Sequence, residues 1–378
     1  MRAASLVAVA TDVGAWRVVL PVLRELDRRG APYRVMLAEP AASIARQDGV
    51  EHVALTGATL DPWVDAVLDA NPSMLLLGTS VQEVVERALV RRIRAMGSMV
   101  PTLGVLDAML FVERRFGPGL AELPDLVACP DEATACRLGR AGAPASALAV
   151  TGNPTLEEIW WTNLTPPAPL RGANIGCADI ISGAERGENG HLLPLSSQER
   201  GLGGEVDVLF VSSPVAAMRL RGAEFMIDER QALADVLEAL AGPAPGGYRV
   251  RVRLHPVQRA ERLPDPPPGI ALEPDDDPDR LASCARARAV VGLSSTLLGE
   301  ARFLHRPAVA YLPGPFWEQE HAFAPEYGVR VARSFEQLRS SLARALHEPP
   351  DPPPLDGHLG AAGRIADLLG TPTARAGR

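Results

Sequence analysis

The sequence predicts an α/β protein built from two doubly wound domains that face each other across a cleft. Three observations carry this expectation. Short apolar runs alternate with amphipathic helical stretches through residues 1–150, the alternation breaks over a segment rich in Gly, Pro and Ser, and it resumes in the same form from Val206. Strands bounded by Gly and Pro and alternating with helices specify parallel sheets covered on both faces. At 378 residues the chain is long for one compact domain and comfortable for two.

In the first half the expected strands are Ser5–Ala10, Tyr33–Ala38, His52–Leu55, Met74–Leu77, Thr102–Leu106 and Asp125–Ala128, with helices over Arg17–Arg29, Pro62–Ala70 and Gln82–Met96. In the second half they are Val206–Val211, Tyr248–Leu254, Ala289–Val291 and Ala308–Leu312, with helices over Asp228–Leu240, from Thr296, over Phe335–His347 and over Gly360–Leu369. The expected bounds are 1–161 for an N-terminal domain, 162–205 for a linker with a mobile insertion, 206–350 for a C-terminal domain, and 351–378 for a Pro-rich break and a further helix. Ligands of such open sheets bind at the carboxyl ends of the strands, so the cleft between the domains is the expected site.

Composition excludes several classes. The net charge of −8, with basic residues spread out, argues against nucleic acid or an anionic membrane surface as ligand. All 38 basic residues are arginine, which removes lysine Schiff-base chemistry and a Walker-type phosphate lysine. Cys129, Cys136, Cys177 and Cys284 have no metal-binding or disulfide spacing, so no metal site is expected. The apolar run Leu6–Ala10 leads straight into a helical pattern and reads as a first core strand, not a signal peptide, and no run has the length of a membrane span. A cytoplasmic location is the expectation.

Chemistry concentrates at strand ends. After the strand ending at Val291, Gly292-Leu293-Ser294-Ser295-Thr296 turns the chain into a helix that carries Glu300. Ser294 or Ser295 is a natural cap, the free amides of that first turn suit an anion, and Glu300 is placed to accept from a ribose diol. Arg253-Leu254-His255-Pro256 ends another strand, where His255 could donate to a phosphate oxygen or protonate it. In the first half, Thr11-Asp12-Val13-Gly14 follows the first strand, and Gly14 would admit a ligand close to the backbone. Asp107 stands just past another strand, with Glu113 and Arg114 in the loop beyond; Asp12 or Asp107 suits a general base, although both also suit turn or capping roles. Thr79 and Ser80 could hold substrate hydroxyls or simply cap a helix. Asp275-Asp276-Asp277, between prolines, reads as a solvated turn, and Trp160-Trp161 as a cover for the domain junction. His305 and His321 have no partner pattern, and the sequon Asn163-Leu164-Thr165 carries no role in the cytoplasm.

These residues resemble a family. Val150-Thr-Gly-Asn-Pro154 is similar to the segment that closes the first domain of non-hydrolysing UDP-N-acetylglucosamine 2-epimerases, and Pro124-Asp-Leu-Val-Ala-Cys-Pro-Asp-Glu-Ala133 looks like the segment shortly before it in that superfamily. Ser294 with Glu300 has the spacing that binds nucleotide phosphate and ribose there. Leu254-His255-Pro256 and Ser294-Ser295 also look like the HP and SS motifs of bacterial sialyl-, polysialyl- and glycerophosphate transferases. The resemblance implies the GT-B fold, two Rossmann-like domains, with donor binding by the second. The epimerases carry Ser-Gly-Gly where this chain has Ser-Ser-Thr, and their His-Arg-Glu-Asn segment has no match, which favours group transfer.

The expected function is therefore a metal-independent glycosyltransferase of polysaccharide biosynthesis type, moving a sugar from a nucleotide-activated donor to an acceptor hydroxyl. Arg253, His255, Ser294, Ser295, Thr296 and Glu300 would bind the donor; Asp12, Asp107 and His255 would carry catalysis; Gly14, Thr79 and Ser80 would meet the acceptor. No permanently bound cofactor is expected, a UDP- or CMP-type sugar being a co-substrate. The partners are that donor and a small-molecule or glycan acceptor, and the chain is compatible with a homodimer. The alternatives are an epimerase or hydrolase of UDP-N-acetylhexosamine, and a catalytically silent nucleotide-binding relative.

Overall fold

The computed structural model describes residues 6–370, apart from 58, 82–83, 108–110, 165–205, 216–225, 242–246, 256–257, 259–262, 316, 318–326, 349 and 354. Most of the expected linker, the Asn163–Thr165 sequon's threonine, Pro256 and His321 thus lie outside the described residues. Two all-parallel sheets are present. The first has seven strands in the order β3-β2-β1-β4-β5-β6-β7, the second six in the order β10-β9-β8-β11-β12-β13.

In the first sheet β1 (Leu6–Ala10), β2 (Tyr33–Leu37), β4 (Met74–Leu77), β5 (Thr102–Val105) and β6 (Leu126–Cys129) match expected runs, and β3 shrinks to Val53–Ala54. Helices α1 (Val13–Arg28), α3 (Asp61–Asp69) and α4 (Val85–Ala95) cover them, joined by α2 (Ala41–Gln47) and α5 (Glu132–Arg140), which the periodicity does not reveal. The order reverses direction between β1 and β4, so the carboxyl ends of these two neighbours open the crevice of a doubly wound sheet. In the second sheet β8 (Val206–Val211), β9 (Tyr248–Arg253), β11 (Ala289–Gly292) and β12 (Ala308–Tyr311) match, with α7 (Glu229–Leu240), α8 (Arg280–Arg286), α9 (Thr296–Phe303) and α10 (Phe335–His347).

Three strands were not expected: β7 (Leu148–Val150), β10 (Ile270–Pro274) and β13 (Arg330–Ala332). All three lie at sheet edges, where one side is wet and residues such as Glu273, Pro274 and Arg330 are tolerated, so no apolar run marks them. Among the described residues no helix is long and apolar enough to cross a membrane.

The halves are joined twice. Helix α6 (Pro154–Leu164) is capped by Asn153, whose Oδ1 accepts from Thr155 N at 2.9 Å, with Pro154 at the first helical position. Its Leu156, Ile159 and Trp160 pack into the core of the second half, which places Trp160 at the junction while Trp161 is half exposed. Beyond β13 and α10 the chain returns: α11 (Ala361–Gly370) seats Ile365 and Ala366 in the first-half core against α1. Glu157 accepts from Gly360 N at 2.7 Å and Ala362 N at 2.9 Å, and Arg364 donates to Thr151 O at 2.9 Å. Buried His358 accepts from Asn153 N at 3.1 Å through Nδ1, and Tyr327 of the second half donates to Asp131 of the first at 3.0 Å.

Candidate active site

The facing carboxyl ends of the two sheets enclose a cavity of about 40 Å³, room for very few waters. Its walls include Gly14, Arg17 and Asp107 from the first half and Thr296, Glu300 and Tyr327 from the second. Gly14, Asp107, Thr296 and Glu300 are thus brought together as the sequence suggests. Of the other predicted site residues, Asp12, Thr79, Ser80, Arg253, His255, Ser294 and Ser295 do not line this cavity.

On the first-half side, β1 is followed by Thr11, whose N–H and hydroxyl both donate to Glu86 of α4, at 2.7 and 2.6 Å. Burial pushes the Glu86 carboxyl up to about 7. Asp12 follows as the N-cap of α1, its Oδ1 accepting from Ala15 N at 2.8 Å. Gly78, at the end of β4, leaves space that the Ala15 methyl occupies, so the start of α1 lies directly on the sheet. A Cβ on Gly14 would collide with Asp107 Oδ2, so glycine is what lets that carboxylate lie over the helix start. Asp107 is held from behind: Arg115 donates to Oδ1, and Thr79 Oγ1 lies 3.3 Å from the same oxygen. Arg115 Nη1 also donates to Thr79 O at 3.1 Å. Burial and the nearby Asp12 charge raise the Asp107 carboxyl above its ordinary range, and Arg115 opposes them.

The two loop residues singled out from the sequence take other roles. Glu113 accepts from Arg137 at 2.7 and 2.8 Å, and Arg114 lies over the Phe111 ring. The partner of Asp107 is the next residue, Arg115.

On the second-half side, Ser295 caps α9, accepting from Leu297 N at 3.3 Å. Glu300, on the same helix and buried, accepts from Arg280 Nε at 2.9 Å through Oε2. Arg253 is already engaged: Asp275 accepts from it, and it donates to Asp277 O at 2.7 Å. Asp275 also accepts from Arg251 at 2.8 Å and from Ser283, with its side chain only 3% exposed. The expectation of a solvated acidic turn is therefore corrected for Asp275, because two arginines on alternate residues of β9 draw its carboxylate into the sheet end. The Asp275→Asn variant is expected to lose about 2 kcal/mol of stability in urea unfolding, since Arg251 and Arg253 would share one compensating charge fewer.

Arg17, which the sequence marks only as the start of an expected helix, is the unexpected member. Its guanidinium makes no hydrogen bond or ion pair with the described residues. Burial, then the positive charges of Arg280 and Arg253, lower its pKa to about 10, with Glu300 and Asp48 opposing. A signal was available: Arg17 lies three residues after Gly14, on the same helix face, at the helix that follows the first strand.

No family model and no curated protein matches the chain. Solved structures do resemble it. UDP-GlcNAc 2-epimerase from Neisseria meningitidis, bound to UDP-GlcNAc, superposes with a TM-score of 0.62 at 13% identity over 97% of this chain and 100% of that one. MnaA of S. aureus, solved with UDP, gives 0.63 at 13% identity over 97% and 96%. The glycotransferase of kitacinnamycin gives 0.55 at 15% identity over 97% and 98%. At such identities the likeness is one of fold. The chain shares the two-sheet GT-B fold of these structures.

Proposed function

We propose that the chain is a nucleotide-sugar enzyme that transfers the sugar of a nucleoside-diphosphate donor to an acceptor hydroxyl. The observation that carries the reading is Arg17: an arginine drawn into the cleft, without a partner among the described residues, facing a half that supplies the capped start of α9. A half-buried guanidinium with unused donors suits a diphosphate. Arg280 takes one oxygen of Glu300 and leaves Oε1 for a ribose hydroxyl. Ser294, Ser295 and His255 would lie along the phosphates as the halves close, and Arg253 would contribute its field while held by Asp275.

Asp107 is the base of this reading, since Asp12 is spent on the helix cap. As the acceptor oxygen attacks the anomeric carbon, the bond from that carbon to the phosphate oxygen breaks, the nucleoside diphosphate leaves with the electron pair, and the acceptor proton passes to Asp107 Oδ2. Arg17 and the amides of α9 offset the charge that builds on the leaving group. The small cavity implies that the halves part to admit a donor and close to exclude water.

UDP, CDP, GDP, dTDP and CMP are to be compared by calorimetry and thermal shift. One diphosphate is expected to bind and to raise the melting temperature, and Arg17→Met to weaken it by about 10- to 100-fold, the range for hydrogen bonds to a charged group. If no nucleotide binds, the reading fails. The fold likeness also supports a second reading, epimerase or hydrolase action on UDP-GlcNAc; turnover of that sugar in the absence of any acceptor would favour it.

A further inference from the structure

We propose that Arg115 is a positioning residue for Asp107: it holds the group as a carboxylate and fixes it so that Oδ1 faces the protein and Oδ2 faces the cleft. The inference deepens the proposed function and rests on Asp107 acting as its base.

The geometry is one-sided. Among the described residues, the two side chains that hydrogen-bond to Asp107, Arg115 and Thr79, both address Oδ1. Oδ2 is the atom that a side chain at Gly14 would strike, and both Gly14 and Asp107 line the cavity. Arg115 is itself fixed, 7% exposed and bonded through Nη1 to both the carbonyl and the hydroxyl of Thr79. Thr79 in turn lies at 3.3 Å from Val105 O, so the arginine ties the ends of β4 and β5 to the carboxylate between them. A fork anchored this way cannot follow the acid if it turns, and so selects its orientation.

Charge makes the same demand. Among the described residues, the groups that face Asp107 are Asp12 from the β1–α1 turn, Arg115 from the short 3-10 turn at Glu113–Phe116, and, across the cavity, Arg17 and Glu300; Glu86 stands behind Thr11 on α4. Asp12 and burial disfavour the carboxylate, and Arg115 is the cation in contact with it. Without Arg115 the acid would hold its proton to higher pH. A base is competent only above its pKa, so the acid limb of a rate profile would move up, and activity lost near neutrality would return in alkali.

The test needs no nucleotide, and therefore stands apart from the fate of the proposed function. The protein is labelled with carboxyl-13C aspartate, the Asp107 signal is assigned by Asp107→Asn, and its titration is followed in wild type, Arg115→Met, Arg115→Gln and Arg115→Lys. The midpoint is expected to rise by about one pH unit or more in the two neutral variants and to stay near wild type in Arg115→Lys. With UDP-GlcNAc as probe, any turnover should show kcat reduced at pH 7 and recovering as pH rises, with KM little changed. An unchanged titration in either folded neutral variant overturns the proposal. So does loss of folding in both neutral variants, which would assign Arg115 to stability alone.

Discussion

Asp107→Asn is expected to lower kcat for sugar transfer by about 10²- to 10⁴-fold, the span that a positioned general base contributes. The substitution keeps the shape of the side chain and its hydrogen bond with Thr79, but its amide cannot take the acceptor proton. The remaining rate would come from donor binding and from the field of Arg17 and α9 on the leaving group. Because Asp107 belongs to the first half and the donor is held mainly by the second, nucleotide affinity measured by calorimetry should change less than about threefold, well under one hydrogen bond to a charged group. A fall in affinity as large as the fall in rate would show that Asp107 binds the donor and would remove it from the role of base. Asp12→Ala, in contrast, should mainly cost stability, about 1 kcal/mol, because Asp12 caps α1 through Ala15 N.

Gly152→Ala is expected to destabilise the protein by about 4 kcal/mol, combining left-handed backbone strain with overpacking. Gly152 has φ of +82°, a region that side chains adopt at a cost, and its α-carbon abuts the returning chain. A Cβ there would overlap the carbonyl oxygen of Gly357 and come within 2.9 Å of His358 Cα. Both obstacles are backbone and cannot rotate away. Relief would require α11 to lift, which would break the bonds from Gly360 N, Ala362 N and Arg364 described above. Urea unfolding measures the loss, and a change under 1 kcal/mol would mean that the return segment is far more compliant than its contacts suggest. The Gly30→Ala variant, with φ of +65° and nothing within 4 Å of a new Cβ, isolates the strain contribution.

The interior of both sheets was legible because strands buried on both faces, such as Met74–Leu77 and Ala289–Gly292, must be apolar throughout. The edge strands β7, β10 and β13 were not, because an edge is half wet and tolerates charge, as β10 and β13 do. The strand-end residues of the site could be located for the same reason that the strands could: Gly14, Asp107, Thr296 and Glu300 are counted from the end of an apolar run. Arg17, Arg115 and Arg280 escaped because, in a chain whose basic residues are all arginine, nothing local separates one bound for a cleft from one bound for solvent. What distinguishes them is a carboxylate or a facing cation brought near by topology: Arg280 meets Glu300 twenty residues on, and Arg17 meets the second half only across the cleft.

The return of α11 to the first half has a bearing on the order in which the protein is made. The seven strands of the first sheet have all emerged by Val150, yet the surface of α1 that receives Ile365 and Ala366 has to wait until the whole second half has been synthesised. Domains ordinarily fold in the order of their emergence. Here the half that begins first is completed last, with an apolar helix face open during elongation, while the second half, which runs from Val206 to the end of α10 and takes Leu156, Ile159 and Trp160 from the α6 already made, can close beforehand. The first half thus stays unfinished until docking of α11 buries Ile365 and Ala366 and ends that exposure.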